Sequence, residues 1–389
     1  VATVGLTIAV PDRTGAAAML VNFSTALRRR GHDVVVLHGP APVDDDGHPR
    51  TILADLRASS VETRAVPRLR RPLPILAERD LARAACGVDV IVGFNQRDRA
   101  TAARTAARLG IPAILAVQNQ HNFWGPRPVP RLKRAFYRRA VRDHVALSIC
   151  TAPVVRRELV DMGVEADRCV LLPNGVALGT PPPPRAGERV RAALGLDPAD
   201  RVFLTVGRLD VQKGQDLLVE AWAAVGAGDR GGRLLVAGGC SEGAQAGPSA
   251  GFRSRLEAAI DRLGVGGSVR LLGWRDDVAD LLAAADVFVH PARWEGWPLA
   301  ALEAMVASRP VIMTDCSGIP DGHDRDRHGP VVPAGEIGPL GRAIGDALDL
   351  PLDRLAARGA GWRQLVERHY DIDRIGDRFV DLVEGTLRR

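Results

Sequence analysis

Residues 173–185 read P-N-G-V-A-L-G-T-P-P-P-P-R, and this stretch divides the chain in two. Asn174-Gly175 marks a turn, and four consecutive prolines make a stiff, extended spacer. On both sides of it, short β-branched apolar runs alternate with helical stretches. Before it, strands are expected at 4–10, 34–37, 88–92, 113–117, 145–149 and 169–172, with helices at 17–29, 99–109 and 153–162 among them. After it the alternation restarts, with strands at 202–206, 233–237, 269–272, 287–290 and 311–313. The helices expected there are 215–225, 252–263, 277–284 and 298–307. Apolar strands without polar alternation, separated by helices, mean parallel sheets covered on both faces. The expected fold class is therefore α/β, with two doubly wound Rossmann-like domains facing a central cleft. Open α/β sheets bind ligands there, at the carboxyl ends of their strands.

The composition narrows the function. A length of 389 residues suits two domains, or three, with their own cores. No apolar run is long enough to cross a membrane. The first ten residues lack a basic flank and a small-residue cleavage site, so they read as a strand rather than a signal peptide. Five scattered cysteines fit reduced thiols in a cytoplasmic protein and show no metal spacing. A net charge of +6 and a pI near 9.5 raise nucleic acid as a partner. Fifty of the 52 basic residues are arginine, however, and aromatics make up only 4% of the chain. That is codon bias without base-stacking platforms, and no nucleic-acid partner is expected.

The charge is uneven, with 18 arginines and one lysine against seven acids over residues 61–160. Within that segment, residues 130–142 read P-R-L-K-R-A-F-Y-R-R-A-V-R and space Leu132, Phe136 and Ala140 four apart. A basic amphipathic helix of this kind suits an anionic membrane surface, the inner face in a cytoplasmic protein, or an anionic acceptor. The plainer reading is a solvated helix with a short core stripe.

Two motifs carry chemistry. The strand at 202–206 ends in G-R-L-D-V-Q-K-G, residues 207–214. Gly207 lets the chain turn at the strand end, and Arg208 and Lys213 then stand at its mouth. Arginine as a fork and lysine as a point charge suit a diphosphate. Lys213 is one of only two lysines in the chain. The second motif, P-A-R-W-E-G-W-P-L-A-A-L-E-A-M, spans residues 291–305 and sets Glu295 and Glu303 eight apart, in a loop and in the helix that follows. That spacing fits two ends of one elongated ligand rather than a close catalytic pair. The helix start offers backbone N–H groups of Trp297 and Leu299, but not of Pro298, to an anion. Taken one by one, these are also ordinary loop cations and helix-surface acids. Together they describe a site for a diphosphate flanked by hydroxyl-rich groups, which is a nucleotide-sugar.

On these residues the chain resembles the retaining glycosyltransferases of the GT-B fold, family 4 (glycosyl transferases group 1). The resemblance covers most of the chain and is strongest at 207–214, 273–278 and 286–320. It implies that Arg208 and Lys213 bind the donor diphosphate, that Glu295, beside Gly296, meets the donor sugar, and that Glu303 holds the ribose. The stretch G-W-R-D-D-V, residues 273–278, resembles the segment beside the nucleobase, which places Trp274 and Val278 there. The domains implied are an acceptor-binding domain at 1–173, a linker at 174–185, a donor-binding domain at 186–372, and a last helix at 373–389 that crosses back to the first domain. The first loop, residues 12–17, has one glycine where the family usually pairs two, and Gly15 is the candidate for donor contact. His121, in Q-N-Q-H-N-F-W at 118–124, matches a histidine near the sugar and is equally a loop histidine. After Pro320 the family's usual glutamate is Asp321.

The run D-G-H-D-R-D-R-H-G at 321–329 invites a metal reading through His323, Asp324, Asp326 and His328, but interleaved arginines and glycines favour a polar loop, and no metal or other cofactor is expected. The activity implied is hexosyl transfer from a nucleoside diphosphate sugar, UDP-sugars being mildly favoured, to the hydroxyl of a small molecule, saccharide or lipid. A GT-B epimerase, a sugar phosphorylase and a non-catalytic nucleotide-sugar-binding protein are the rival readings. A nicotinamide dehydrogenase is disfavoured, because the first strand is followed by P-D-R-T-G-A-A-A rather than G-x-G-x-x-G.

Overall fold

The structure is a computed structural model that describes every residue except 42–50, 70–73, 122–128, 181–182 and 241–250. The strands are β1 (Thr3–Ile8), β2 (Asp33–His38), β3 (Glu62–Ala65), β4 (Val90–Gly93), β5 (Ala113–Val117), β6 (Leu147–Cys150), β7 (Cys169–Leu171), β8 (Arg201–Val206), β9 (Gly232–Ala237), β10 (Val269–Gly273), β11 (Val287–His290), β12 (Val311–Thr314) and β13 (Val331–Val332). The helices of the first half are α1 (Gly15–Arg29), α2 (Leu53–Ala58), α3 (Pro74–Ala84), α4 (Gln96–Leu109), α5 (Val129–His144) and α6 (Pro153–Asp161). The rest are α7 (Pro184–Ala193), α8 (Gln215–Ala224), α9 (Phe252–Arg262), α10 (Val278–Ala284), α11 (Leu299–Val306), α12 (Arg325–His328), α13 (Ile337–Asp349), α14 (Leu352–His369) and α15 (Ile372–Leu387).

The strands form two parallel sheets, in the orders β3-β2-β1-β4-β5-β6-β7 and β10-β9-β8-β11-β12-β13. Each sheet runs outward from its first strand and then jumps back to that strand's other side. The switch points are β1/β4 and β8/β11, the places where open sheets take ligands. The chain divides into two compact units, one of Val1–Gly175 with Ile372–Arg389 and the other of Val176–Asp371.

The spacer is shorter than its composition implies. The units change at Gly175, Asn174 is buried, and Val176 bridges to Asp371 within the second unit. Helix α7 already begins at Pro184, inside the linker expected at 174–185. Proline lacks the N–H that a first helical turn leaves unpaired anyway, so the last proline of the run opens a helix.

Helix α15 belongs to the first unit and lies along α1, where Phe379 stacks on Phe23 with ring centroids 4.0 Å apart and planes 4° apart. Ion pairs edge this contact: Arg29 with Asp373 (2.5 Å) and Asp377 (2.9 Å), and Arg30 with Asp381 (3.1 Å). These pairs stand in solvent, where screening leaves each worth little. Replacing Arg30 with alanine is therefore expected to lower stability by only about 0.2–1 kcal/mol, read from a urea melt.

On α5 the buried stripe is Tyr137, Ala140 and Val141, not the run of Leu132, Phe136 and Ala140. A strict four-residue spacing drifts off one helix face, and packing against α4 selects the i, i+3, i+4 set. Leu132 and Phe136 are left 65% and 38% exposed among arginines, with the Arg104 guanidinium 5.3 Å from the Phe136 ring centroid. Among the described residues, no helix is long and apolar enough to cross a membrane.

Candidate functional site

The second unit's site is built on the carboxyl ends of β8 and β11, neighbours at the switch point. After β8 the chain passes Gly207 and Arg208 and makes a short 3-10 turn, Val211–Lys213, which Asp210 caps by accepting the Gln212 N–H at 2.9 Å. Gly214 then starts α8 with φ +70°, and a Cβ there would lie 2.1 Å from the Pro291 carbonyl oxygen. Only glycine fits that position, both for backbone conformation and for space.

The loop after β11 is stapled to this turn by Arg293. Its N–H donates to the Gln212 carbonyl (2.8 Å), and its guanidinium forks onto the Asp216 carboxylate at 2.7 and 2.8 Å. Thr314, at the end of β12, donates its hydroxyl to the Ala292 carbonyl from the other side. The loop is thus fixed at its base before it delivers Glu295.

Glu295 is buried, and Lys213 Nζ lies 2.5 Å from its Oε2. Gln212 Nε2 donates to the same oxygen at 3.2 Å. Arg208 donates to Asp210 Oδ2 at 3.1 Å and, at a long 3.4 Å, to Gln212 Oε1. The two cations expected to wait for a diphosphate therefore each carry an internal carboxylate partner. Burial pushes the Glu295 carboxyl up, but Lys213, with His290 and Arg208, holds it below the usual glutamate range. Burial and then Lys213 push the neighbouring His290 down to about 4, so its imidazole is neutral.

The other expected residues of this unit lie in the same loop, on α11, after β10 and at the start of α10. Gly296 and Trp297 are buried in the same loop, and Pro298 caps α11, which begins at Leu299. Glu303 projects from α11 into solvent. Burial by the surrounding protein pushes its carboxyl up to about 7, a push that the exposure of the residue screens. Trp274 is 38% exposed at the end of β10, two strands from β8, and its indole N–H donates to Asp276 Oδ1 (3.0 Å). Val278 is the first residue of α10 and half-buried. In the 321–329 run, His323 Nε2 pairs with the Gly329 carbonyl and His328 Nδ1 with backbone atoms of Asp324, so their imidazoles serve the loop. Among the described residues no group of three acids, histidines or cysteines is placed to hold a metal.

Gly15 and His121 lie in the other unit. Gly15 opens α1 behind Thr14, whose hydroxyl donates to Asp12. His121 follows β5, and the residues after it in its motif lie outside the described ones. Its ring is fully enclosed: Nδ1 lies 2.9 Å from Glu158 Oε2, and Nε2 lies 2.6 Å from the Tyr137 hydroxyl and 3.1 Å from Arg99 Nη1. Burial lowers this imidazole against the pull of Glu158, so it is neutral. Nδ1–H donates to the carboxylate, and Nε2 accepts from Tyr137 and Arg99. Both ring nitrogens are thus engaged inside the protein, so the expected sugar contact would take the place of one of these partners.

Sequence reasoning missed Asp210, Gln212, Arg293 and the partners of His121, namely Arg99, Tyr137 and Glu158. Asp210 and Gln212 were visible within G-R-L-D-V-Q-K-G as an N-cap acid and an amide between two cations. The partners of Arg293 and His121 come from distant elements and leave no local signal.

Two family models match the chain, the description "Glycosyl transferases group 1" over residues 200–349 and "Glycosyl transferase 4-like domain" over residues 14–175. The chain is 29% identical to the lipopolysaccharide core biosynthesis mannosyltransferase LpsB of Rhizobium meliloti over 211 residues, 53% of this chain and 58% of that protein. It is 31% identical to the D-inositol 3-phosphate glycosyltransferase of Mycobacterium tuberculosis over 254 residues, 64% of this chain and 50% of that protein. The chain thus spans about half the length of the curated relatives it matches. Among solved structures, Anabaena Alr3699/HepE, crystallised with UDP and glucose, aligns with 99% of this chain and 100% of its own at a TM-score of 0.83 and 18% identity, a likeness of fold.

Proposed function

We propose, from the premise that this chain is a GT-B glycosyltransferase built of a 4-like domain and a group 1 domain, that it is a hexosyltransferase moving a sugar from a nucleoside diphosphate sugar to an acceptor hydroxyl. The observation that carries this reading is the Arg208–Gln212–Lys213–Glu295 cluster on the β8/β11 switch point. The named relatives act on sugars, and the HepE structure was solved with UDP and glucose, which supports UDP as the first nucleotide to try.

The internal pairs make donor binding an exchange of partners. Diphosphate oxygens take Arg208 and Lys213 from Asp210 and Glu295, and sugar hydroxyls take Glu295 from Lys213. Negative charge then grows on the leaving diphosphate as the glycosidic bond breaks. Arg208, Lys213 and the N–H groups opening α11 stabilise it, doing without a divalent ion what such an ion does elsewhere. Transfer proceeds with retention by a front-face route, as the family resemblance implies. The acceptor oxygen bonds to the anomeric carbon on the face the diphosphate leaves, and the departing phosphate oxygen takes the acceptor's proton. Glu303 fits the ribose, and Trp274 with Val278 the base. Gly15, through its backbone, remains the first unit's candidate for the donor phosphate or sugar, and His121 its candidate for the sugar. Exposed Leu132 and Phe136 among the basic residues of α5 suit an anionic membrane surface, consistent with a lipid acceptor and a place at the inner face of the cytoplasmic membrane.

The test is a thermal-shift panel of UDP, GDP, ADP and dTDP and their sugars. At 100 times its dissociation constant a true ligand adds roughly 2.7 kcal/mol, and a chelator is expected to leave that shift intact. No shift with any member defeats the reading. Conversion of donor without acceptor indicates an epimerase, a requirement for free phosphate indicates a phosphorylase, and binding without nucleotide release indicates a non-catalytic protein.

A further inference from the structure

We propose that Gln212 is a positioning residue for the donor: its carboxamide holds Glu295 as a fixed hydrogen-bond acceptor once Lys213 turns to the diphosphate. The inference rests on the donor reading above and adds a residue to it. Gln212 is 6% exposed, and its backbone is pinned on both sides, N–H to Asp210 Oδ1 (2.9 Å) and carbonyl from the Arg293 N–H (2.8 Å). The root of the side chain therefore has no freedom to drift.

The two ends of the amide differ, and each faces the charge that suits it. The NH2 group points to the Glu295 carboxylate and the carbonyl oxygen to the Arg208 guanidinium. Glu295 Oε2 is shared by Gln212 and Lys213, and among the described residues these are the hydrogen bonds its carboxylate makes. When the lysine leaves for phosphate, the Gln212 N–H stays on that oxygen. It keeps a carboxylate that has lost its cation from turning away or taking up a proton. A glutamine does this without adding charge, whereas an acid there would repel Glu295 and weaken Arg208, and a second cation would compete with the diphosphate for Glu295.

Two substitutions test the idea on the full-length chain. Binding is measured by calorimetry with UDP, GDP, ADP, dTDP and their glucose conjugates, and thermal melts check the fold. Gln212→Met keeps the length and loses both hydrogen bonds. It is expected to weaken the nucleotide-sugar about tenfold or more, the worth of a hydrogen bond to a charged group, while the sugar-free diphosphate changes little. Gln212→Glu is expected to weaken both ligands at pH 8. As the pH falls to about 5.5 the new acid gains a proton shared with Glu295, and its O–H then donates as the amide did. Nucleotide-sugar affinity relative to wild type should recover on acidification in Gln212→Glu and stay low in Gln212→Met. Among the described residues, the charged and titratable groups about that position are Arg208, Asp210 and Lys213 from its own loop, Asp216 from α8, Arg293 and Glu295 from the opposite loop, His290 at the end of β11, and Cys316 after β12, whose thiol interacts with Glu295 and Lys213. All of them are common to the three proteins, so the ratio to wild type isolates residue 212. A Gln212→Met protein that binds nucleotide-sugar like wild type, or a Gln212→Glu protein whose ratio is flat with pH, overturns the proposal and leaves the donor reading standing. A wild type that binds none of the panel removes both.

Discussion

Lys213→Ala is expected to cut nucleotide release from the donor by about 10²–10³, because the role proposed for Lys213 is to stabilise the departing diphosphate beside Arg208. The same change strands Glu295. It leaves a carboxylate enclosed by protein, with the Gln212 N–H but no paired cation, and breaking one side of such a pair costs about 3–5 kcal/mol. Lys213 retains some solvent contact, with 19% of its side chain exposed, so the lower end of that range is expected. The pH dependence has a definite sign. In the wild type the Glu295 carboxyl lies below the ordinary glutamate value of 4.5, so the pair stabilises the fold above that value and the contribution is lost as pH falls through the lowered one. Without Lys213 the buried carboxylate is costly at neutral pH, and acidification relieves it. The stability of the variant relative to wild type should therefore rise toward pH 4. Adding Glu295→Gln to Lys213→Ala should restore most of the stability and none of the rate. Urea melts across pH, beside single-turnover kinetics, separate the two effects; a Lys213→Ala protein with unchanged rate would rule out the assigned role.

Phe379→Ala is expected to cost about 3–5 kcal/mol, since a large buried ring leaves a cavity opposite Phe23 that α1 and α15 fill only in part. The loss should be local. Hydrogen exchange is expected to quicken in α1 and α15 and to stay unchanged in α8, which belongs to the other unit. Equal quickening in both units would mean that they unfold as one body.

These expectations depend on features that the sequence discloses unequally. Strands such as Ala113–Val117 and Val287–His290 are readable because both faces of a parallel sheet are buried and the apolar run has no polar interruption. Strand β3, with the sequence E-T-R-A, is hidden because it sits at the sheet edge, where half of its residues meet solvent. Arg208 and Lys213 are legible from their loop as two cations at the carboxyl end of β8. Their carboxylate partners are not all so: Asp210 is local, but Glu295 comes from another loop 82 residues on, and only the fold brings it to Lys213. His121 shows the same limit more sharply. Its partners Arg99, Tyr137 and Glu158 lie on three different helices, so nothing near His121 in sequence signals that both ring nitrogens are engaged. On α5, spacing alone offered a stripe one position away from the one that packing chose.

The first unit is assembled from two separated stretches of chain, Val1–Gly175 and Ile372–Arg389. A ribosome delivers the first stretch before the whole second unit and α15 only after it. Throughout that interval the Phe23 face of α1 is bare, and nascent chains with bare apolar faces attract chaperones or one another. The second unit, contiguous from Val176 to Asp371, has no such wait and can complete its core as soon as it clears the exit tunnel.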